Sequence, residues 1–237
     1  MERAAAPLQA AVAAGTLQPI SSSPQTLPEW NRGAAGIQAY KLHDPEGHCL
    51  ELLQFPPDKG DARWHAGAGS SGRTTGAEGS ETSTTGSPFL GIDHSAIANA
   101  DTARSCAFYE QLLGLRLGGD GVNSGIEQDR LDGLSGTEVH ITAHRCPSGP
   151  GIECLNYRQP TGGRHLPADQ SAADAAHWQI RLAVSDLETI GSRVETFGGQ
   201  LVAGPLELEP SIAAALGFRR GLQIHDPDGH ALQLVSA

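Results

Sequence analysis

The stretch Gly91-Ile92-Asp93-His94-Ser95-Ala96-Ile97 decides how this chain is read: a short apolar strand pattern interrupted by one imidazole. Its echo is Ala176-His177-Trp178-Gln179-Ile180-Arg181-Leu182. A segment with helical spacing follows each, Asp101 to Leu113 in one copy and Asp186 to Phe197 in the other. Each copy then closes on a strand with a candidate metal ligand, Glu153 in Gly151-Ile152-Glu153-Cys154-Leu155 and Gln233 in His230-Ala231-Leu232-Gln233-Leu234. Two copies mean a duplicated unit, and the repeated histidine predicts one metal site shared by two related halves.

A shorter copy stands at the front. Gly36 to Leu42 leads through the turn His43-Asp44-Pro45-Glu46-Gly47-His48 into Cys49 to Leu53, and the same signature returns as Leu222 to Leu234 around His225-Asp226-Pro227-Asp228-Gly229-His230. Proline presets one dihedral of such a turn and glycine accepts positive φ, so the turn is strongly specified. Its histidines are better explained by turn stabilisation than by catalysis. The alanine-rich residues 3–14 read as the helix of this copy, with Gly15 as its stop. Residues 1–56 are therefore expected to be a partial unit without its first strand. Glu51 occupies the position of Gln233 but has no histidine strand of its own, so it is expected to stay outside the metal site. Such a fragment either docks on the complete pair, borrows a strand from a second copy in a homodimer, or stays loosely folded.

Residues 57–88 collapse to Gly, Ser, Thr and Ala with scattered charges, too little apolar surface to offset ordering entropy; they read as a flexible linker. Residues 89–237 are expected to form the main domain from two complete units, 89–160 and 176–237. Inside the first, the Gly-rich acidic stretch Gly118 to Asp132 reads as a loop overhanging the site, with Asn123, Glu127 and Gln128 as substrate contacts or as a solvated loop. It lacks the Lys-Ser/Thr ending of a phosphate loop.

Composition narrows the function classes. With 237 residues and 38% hydrophobic content the chain can bury one good core or two small ones. A formal charge of −11 argues against nucleic-acid or anionic-membrane surfaces, which need clustered Lys and Arg; small molecules are the expected partners. The four cysteines have neither zinc-site spacing nor the density of a disulfide scaffold, and no apolar run approaches the ~20 residues of a membrane span, so a cytoplasmic location is expected.

The His-strand openings at His94 and His177, the Asp-Pro-x-Gly-His turns and the closing strands with Glu51, Glu153 and Gln233 resemble the vicinal oxygen chelate superfamily, which includes glyoxalases, epimerases, extradiol dioxygenases and bleomycin-resistance proteins. The resemblance implies an α+β fold in which paired βαβββ modules form a cupped mixed sheet, here preceded by the partial module. It further implies a divalent metal held by His94, Glu153, His177 and Gln233. Strand alternation puts His177, Gln179 and Arg181 on one face and Trp178, Ile180 and Leu182 on the other. Two imidazoles, a carboxylate and an amide oxygen suit Zn, Fe, Ni, Co or Mn. Gln179 and Arg181 are candidate substrate contacts; Arg181 is either a cation for an anionic substrate or a strand residue paired with a carboxylate.

The leading expectation is a metal-dependent lyase or isomerase acting on a small substrate chelated through vicinal oxygens, with Glu153 as catalytic base. The alternatives are an extradiol-type Fe(II) dioxygenase and a metal-free binding protein of the resistance type.

Overall fold

The computed structural model describes residues 1–65, 89–167 and 169–236, so most of the expected linker, residues 66–88, lies outside the described residues. The chain separates into two compact units, residues 1–92 with 125–135, and residues 93–124 with 136–237.

The first unit begins with α1 (Glu2–Ala13), which stops where Gly15 takes φ +72°. Four strands follow, β1 (Gln18–Pro19), β2 (Gln25–Thr26), β3 (Gln38–His43) and β4 (Cys49–Gln54). Both β1 and β2 pair antiparallel with β3, as two halves of one interrupted strand: the amides of Ile20 and Ser21 both donate to the Lys41 carbonyl. On the far side β4 pairs with β3 in the register Lys41↔Glu51. In the turn between them Asp44 Oδ1 accepts the Glu46 and His48 amides, and Gly47 takes φ +93°. Beyond β4 the chain makes a short 3₁₀ turn at Ala62–Trp64, capped by Asp61.

The remaining elements run in chain order: β5 (His94–Ala98), α2 (Thr102–Cys106) prolonged by π-helical residues Ala107–Leu112, β6 (Arg116–Ser124), α3 (Ile126–Asp132), β7 (Glu138–Arg145), β8 (Gly151–Gln159), β9 (Gln179–Ala183), α4 (Leu187–Arg193) prolonged by the 3₁₀ turn Val194–Phe197, β10 (Gln200–Glu207), α5 (Pro210–Leu216), β11 (Arg220–His225) and β12 (Ala231–Ser236). They build two four-stranded sheets, ordered β5-β8-β7-β6 and β10-β11-β12-β9. In each, the first strand of the module runs parallel to the last while the other pairings are antiparallel, which is the βαβββ arrangement twice over. The fold is α+β, with the N-terminal partial module ahead of these two.

Helices α2 and α4 start where the sequence supplies a cap. Asp101 accepts the Arg104 amide and Asp186 the Thr189 amide, each satisfying one of the donors that a helix N-terminus leaves free. Their apolar sides, Phe108, Tyr109, Leu187, Ile190 and Val194, form one core with Ile97, Ile152 and Cys154 of one sheet and Leu222, Ile224, Leu232 and Leu234 of the other. Each such side chain contributes about 1.5–3 kcal/mol on burial. Because strand side chains alternate, committing these positions to the core commits the intervening ones, Glu153 and Gln233 among them, to the opposite face. Polar contacts tie the modules together: the Tyr109 hydroxyl donates to Asp226 Oδ2 at 2.9 Å, Arg104 pairs with Asp228 at 3.0 Å, and the Ala100 amide donates to Asp228 Oδ1 at 3.2 Å.

The stretch expected to be an overhanging loop, Gly118 to Asp132, is instead the outer part of β6 followed by α3. Glycines are tolerated in β6 because it is an edge strand of its sheet; its pairing with β7 is supplemented by a cross-strand contact between His140 Nε2 and Asp120 Oδ1 at 2.7 Å. Helix α3 in turn places Gln128, Leu131 and Asp132, spaced i, i+3, i+4, on one buried side. By sequence it lies within the first complete module, yet it packs in the N-terminal unit: Leu131 clusters with Leu27 and Ala39, and the Ser21 hydroxyl donates to the Leu131 carbonyl at 2.7 Å.

Candidate metal centre

His94 opens β5 and Glu153 lies in the adjoining strand β8, where the parallel register sets Ala96 opposite Glu153. Both side chains are on the face turned away from Ile97, Ile152 and Cys154. His94 Nε2 stands 3.3 Å from Glu153 Oε2, and His94 Nδ1 stands 2.9 Å from Asp93 Oδ2. An ionised carboxylate only accepts, so Asp93 takes an Nδ1–H, and the Nε2 side of the ring, the side from which such an imidazole binds a cation, is turned toward the Glu153 oxygen. A histidine oriented by a carboxylate behind it is the usual support of a metal-bound imidazole. In the sequence the one signal for Asp93 is its place immediately before His94.

The second sheet is built differently. Its register sets Gln179 opposite Ala231 and Arg181 opposite Gln233. Set against His94↔Gly151 and Ala96↔Glu153 in the first sheet, this makes Gln179 the counterpart of His94, and Arg181 that of Ala96. His177 lies two residues ahead of β9, where its amide donates to the Asp174 carbonyl at 2.9 Å. The apparent echo of His94 by His177 is thus displaced by two positions, a shift that alternation cannot reveal because it leaves the side chain on the same face. Gln233 keeps the position of Glu153, but its Oε1 accepts Arg181 Nε at 2.6 Å, and the Arg181 guanidinium lies 5.0 Å from the centre of the Phe218 ring.

Among the described residues no group of three or more His, Cys, Asp or Glu side chains is assembled to hold a metal ion. The donors differ between the two sheets. His94 and Glu153, backed by Asp93, are side chains of the kind a divalent cation takes, whereas the Gln233 oxygen faces the Arg181 guanidinium.

The other expected site residues fall as follows. Asn123 lies on β6 opposite Val139, which in turn faces Tyr157, so it shares the Glu153 face but about 13 Å further along the strands. Gln128 is 3% exposed and donates to Asp132 Oδ2 at 2.8 Å within the N-terminal unit, so it is a buried structural residue and not an exposed contact for substrate. Glu51 faces Lys41 at 3.9 Å, and Lys41 in turn binds Asp132 at 2.6 Å. The histidines of the repeated turns brace them: His48 Nδ1 and His230 Nδ1 each lie 3.0 Å from the turn aspartate, Asp44 and Asp226 respectively. Burial alone would push the Asp226 carboxyl up, but the hydrogen bonds and charge of His230 and the Tyr109 hydroxyl outweigh it and hold the pKa below the usual carboxylate value. Burial pushes all four thiols up, Cys154 furthest, which leaves no activated thiolate for nucleophilic chemistry.

With the geometry in hand, the relatives are informative. Residues 91–234 match the profile of the Glyoxalase/Bleomycin resistance protein/Dioxygenase superfamily, and the chain belongs to that superfamily. Among solved structures, a glyoxalase family protein from Bacillus cereus superposes with a TM-score of 0.53 at 22% identity, covering 63% of this chain and 95% of its own. A glyoxalase I variant from Zea mays superposes with a TM-score of 0.55 at 16% identity over 97% of this chain; the chain spans 63% of the maize protein's length. These likenesses bear on the fold alone. No curated protein sequence matches the chain. Among the described residues no helix is long and apolar enough to cross a membrane.

Proposed function

We propose that the chain is a metal-dependent lyase or isomerase of the glyoxalase and epimerase type, acting on a small substrate that offers two neighbouring oxygens. The observation that carries this reading is the line Asp93–His94–Glu153, with contacts of 2.9 and 3.3 Å. His94 and Glu153 would hold a divalent ion (Zn, Fe, Ni, Co or Mn), with the remaining positions open to substrate oxygens and to donors beyond this pair. Bound there, the ion supplies a Lewis acid that polarises a substrate carbonyl and acidifies the adjacent C–H. Asp93 fixes the ring and its tautomer. Glu153 would take the proton on a carboxylate oxygen and return it.

A ring-cleaving Fe(II) dioxygenase is the second reading within the superfamily. It calls for two imidazoles and one carboxylate on one face. His94 is the one imidazole seen against Glu153 among the described residues, which favours proton transfer over oxygen chemistry. The test is solvent deuterium incorporation at the carbon next to the carbonyl, across a panel of α-hydroxyketones and thioesters. Wild type should exchange that proton, and Glu153→Gln should lower the exchange rate at least 100-fold; equal exchange by the two proteins would remove Glu153 as the base.

A further inference from the structure

The face of the second sheet that lies opposite the core has a character unlike that of the first. Alternation places Gln179 and Arg181 of β9, Gln233 of β12, and Gln223 and His225 of β11 on it, with Gln233 beside both Arg181 and Gln223 in the register. No carboxylate occupies a position on this face of β9, β11 or β12, in a chain whose formal charge is −11. Arg181 is exposed, and none of the ion pairs among the described residues involves it. It is nevertheless held: Gln233 Oε1 takes its Nε at 2.6 Å and the Phe218 ring, 8% exposed, seats its guanidinium. Fixing the Nε leaves the two Nη groups as a positioned fork, the geometry that pairs with the two oxygens of a carboxylate.

We propose that this face binds the carboxylate of a small organic acid, with Arg181 as the anchoring fork and Gln233 as the residue that positions it. The proposal stands independently of the metal site, since it uses none of the residues of that site. Phe218 also lines a cavity of about 740 Å³ with Leu208, Pro210 and Ala213; Arg181 is not among its lining residues, and the shared Phe218 ring is what places this apolar seat beside the guanidinium. Two acids border that cavity: Glu207 is paired with Arg219 at 2.6 Å, and Glu209 adds a negative charge that disfavours a second carboxylate on the ligand. The class that fits is therefore a monocarboxylate carrying an apolar group.

Phenylacetate and its neutral isostere phenylacetamide separate charge recognition from apolar fit, and inorganic phosphate asks whether any oxyanion suffices. Each is titrated into the full chain while the Arg181 Nε–Hε resonance is followed by NMR. Phenylacetate should shift that resonance saturably and bind at least tenfold tighter than either phenylacetamide or phosphate. Arg181→Gln should erase the difference between acid and amide without changing metal content, and Gln233→Ala, which frees the guanidinium but keeps it, should weaken phenylacetate binding several-fold. Equal binding of acid and amide, phosphate binding as tightly as phenylacetate, or unchanged affinity in a folded Arg181→Gln would overturn the proposal.

Discussion

Single side chains in this protein are set by the strand position they inherit. His144 is the clearest case. The registers His144↔Ile152, Ile224↔Leu232 and Leu42↔Leu50 make it the counterpart of Ile224 and Leu42, so a histidine occupies a position that the other modules fill with an aliphatic residue. It is fully buried, its Nε2 lies 3.4 Å from Thr142 Oγ1, and burial pushes its pKa below the ordinary histidine value. Burial also lowers His225, partly offset by the charge of Asp226. A histidine pKa depressed by folding means that the unfolded chain binds the proton first. Stability is then full above about pH 6.5 and is lost as pH falls through that value toward the folded pKa. The melting temperature should therefore drop between pH 7.5 and 5.5, and His144→Leu, which restores the residue type of the other modules, should flatten that drop; an unchanged slope in the variant would mean that His144 is not its source.

At the scale of elements, the sequence was most legible where local chemistry fixes the answer. The aspartate caps, the glycine stops and the Asp-Pro-x-Gly-His turns are written in neighbouring residues, and the repeat of strand, helix and three strands could be read from them. Register was less legible, as the displaced His177 shows, because a two-residue shift preserves every side-chain face. In the helix after β5 the apolar residues Cys106 and Leu113 are only partly buried, whereas Tyr109 is 0% exposed. The π-helical residues Ala107–Leu112 widen the turn and bring Tyr109 inward beside Phe108, at a ring separation of 5.3 Å. Its hydroxyl then reaches the turn aspartate Asp226 of the other module. Tyr109→Phe removes one hydrogen bond to a buried ionised group and should cost about 2 kcal/mol. Urea unfolding followed by circular dichroism would register this as a lower midpoint at unchanged slope, and an unchanged midpoint would make the contact dispensable.

For the whole molecule, sequence divides the chain by modules, while packing divides it by contacts, and the two divisions part at α3. Nothing local announces that Gln128, Leu131 and Asp132 turn toward the N-terminal residues, because their partners Ala39 and Lys41 lie far back in the chain. The functional asymmetry follows the repeat instead. One module keeps an imidazole and a carboxylate where the other has two glutamines and an arginine, so the proposed metal site falls on the first and the proposed anion site on the second. The most direct test of that assignment is the metal stoichiometry of the purified full chain, measured by plasma mass spectrometry after loading and desalting. Wild type should retain one divalent ion per chain, His94→Ala and Glu153→Ala should lose it, and His177→Ala and Gln233→Ala should keep it. Full retention in His94→Ala, or loss confined to His177→Ala and Gln233→Ala, would contradict the account.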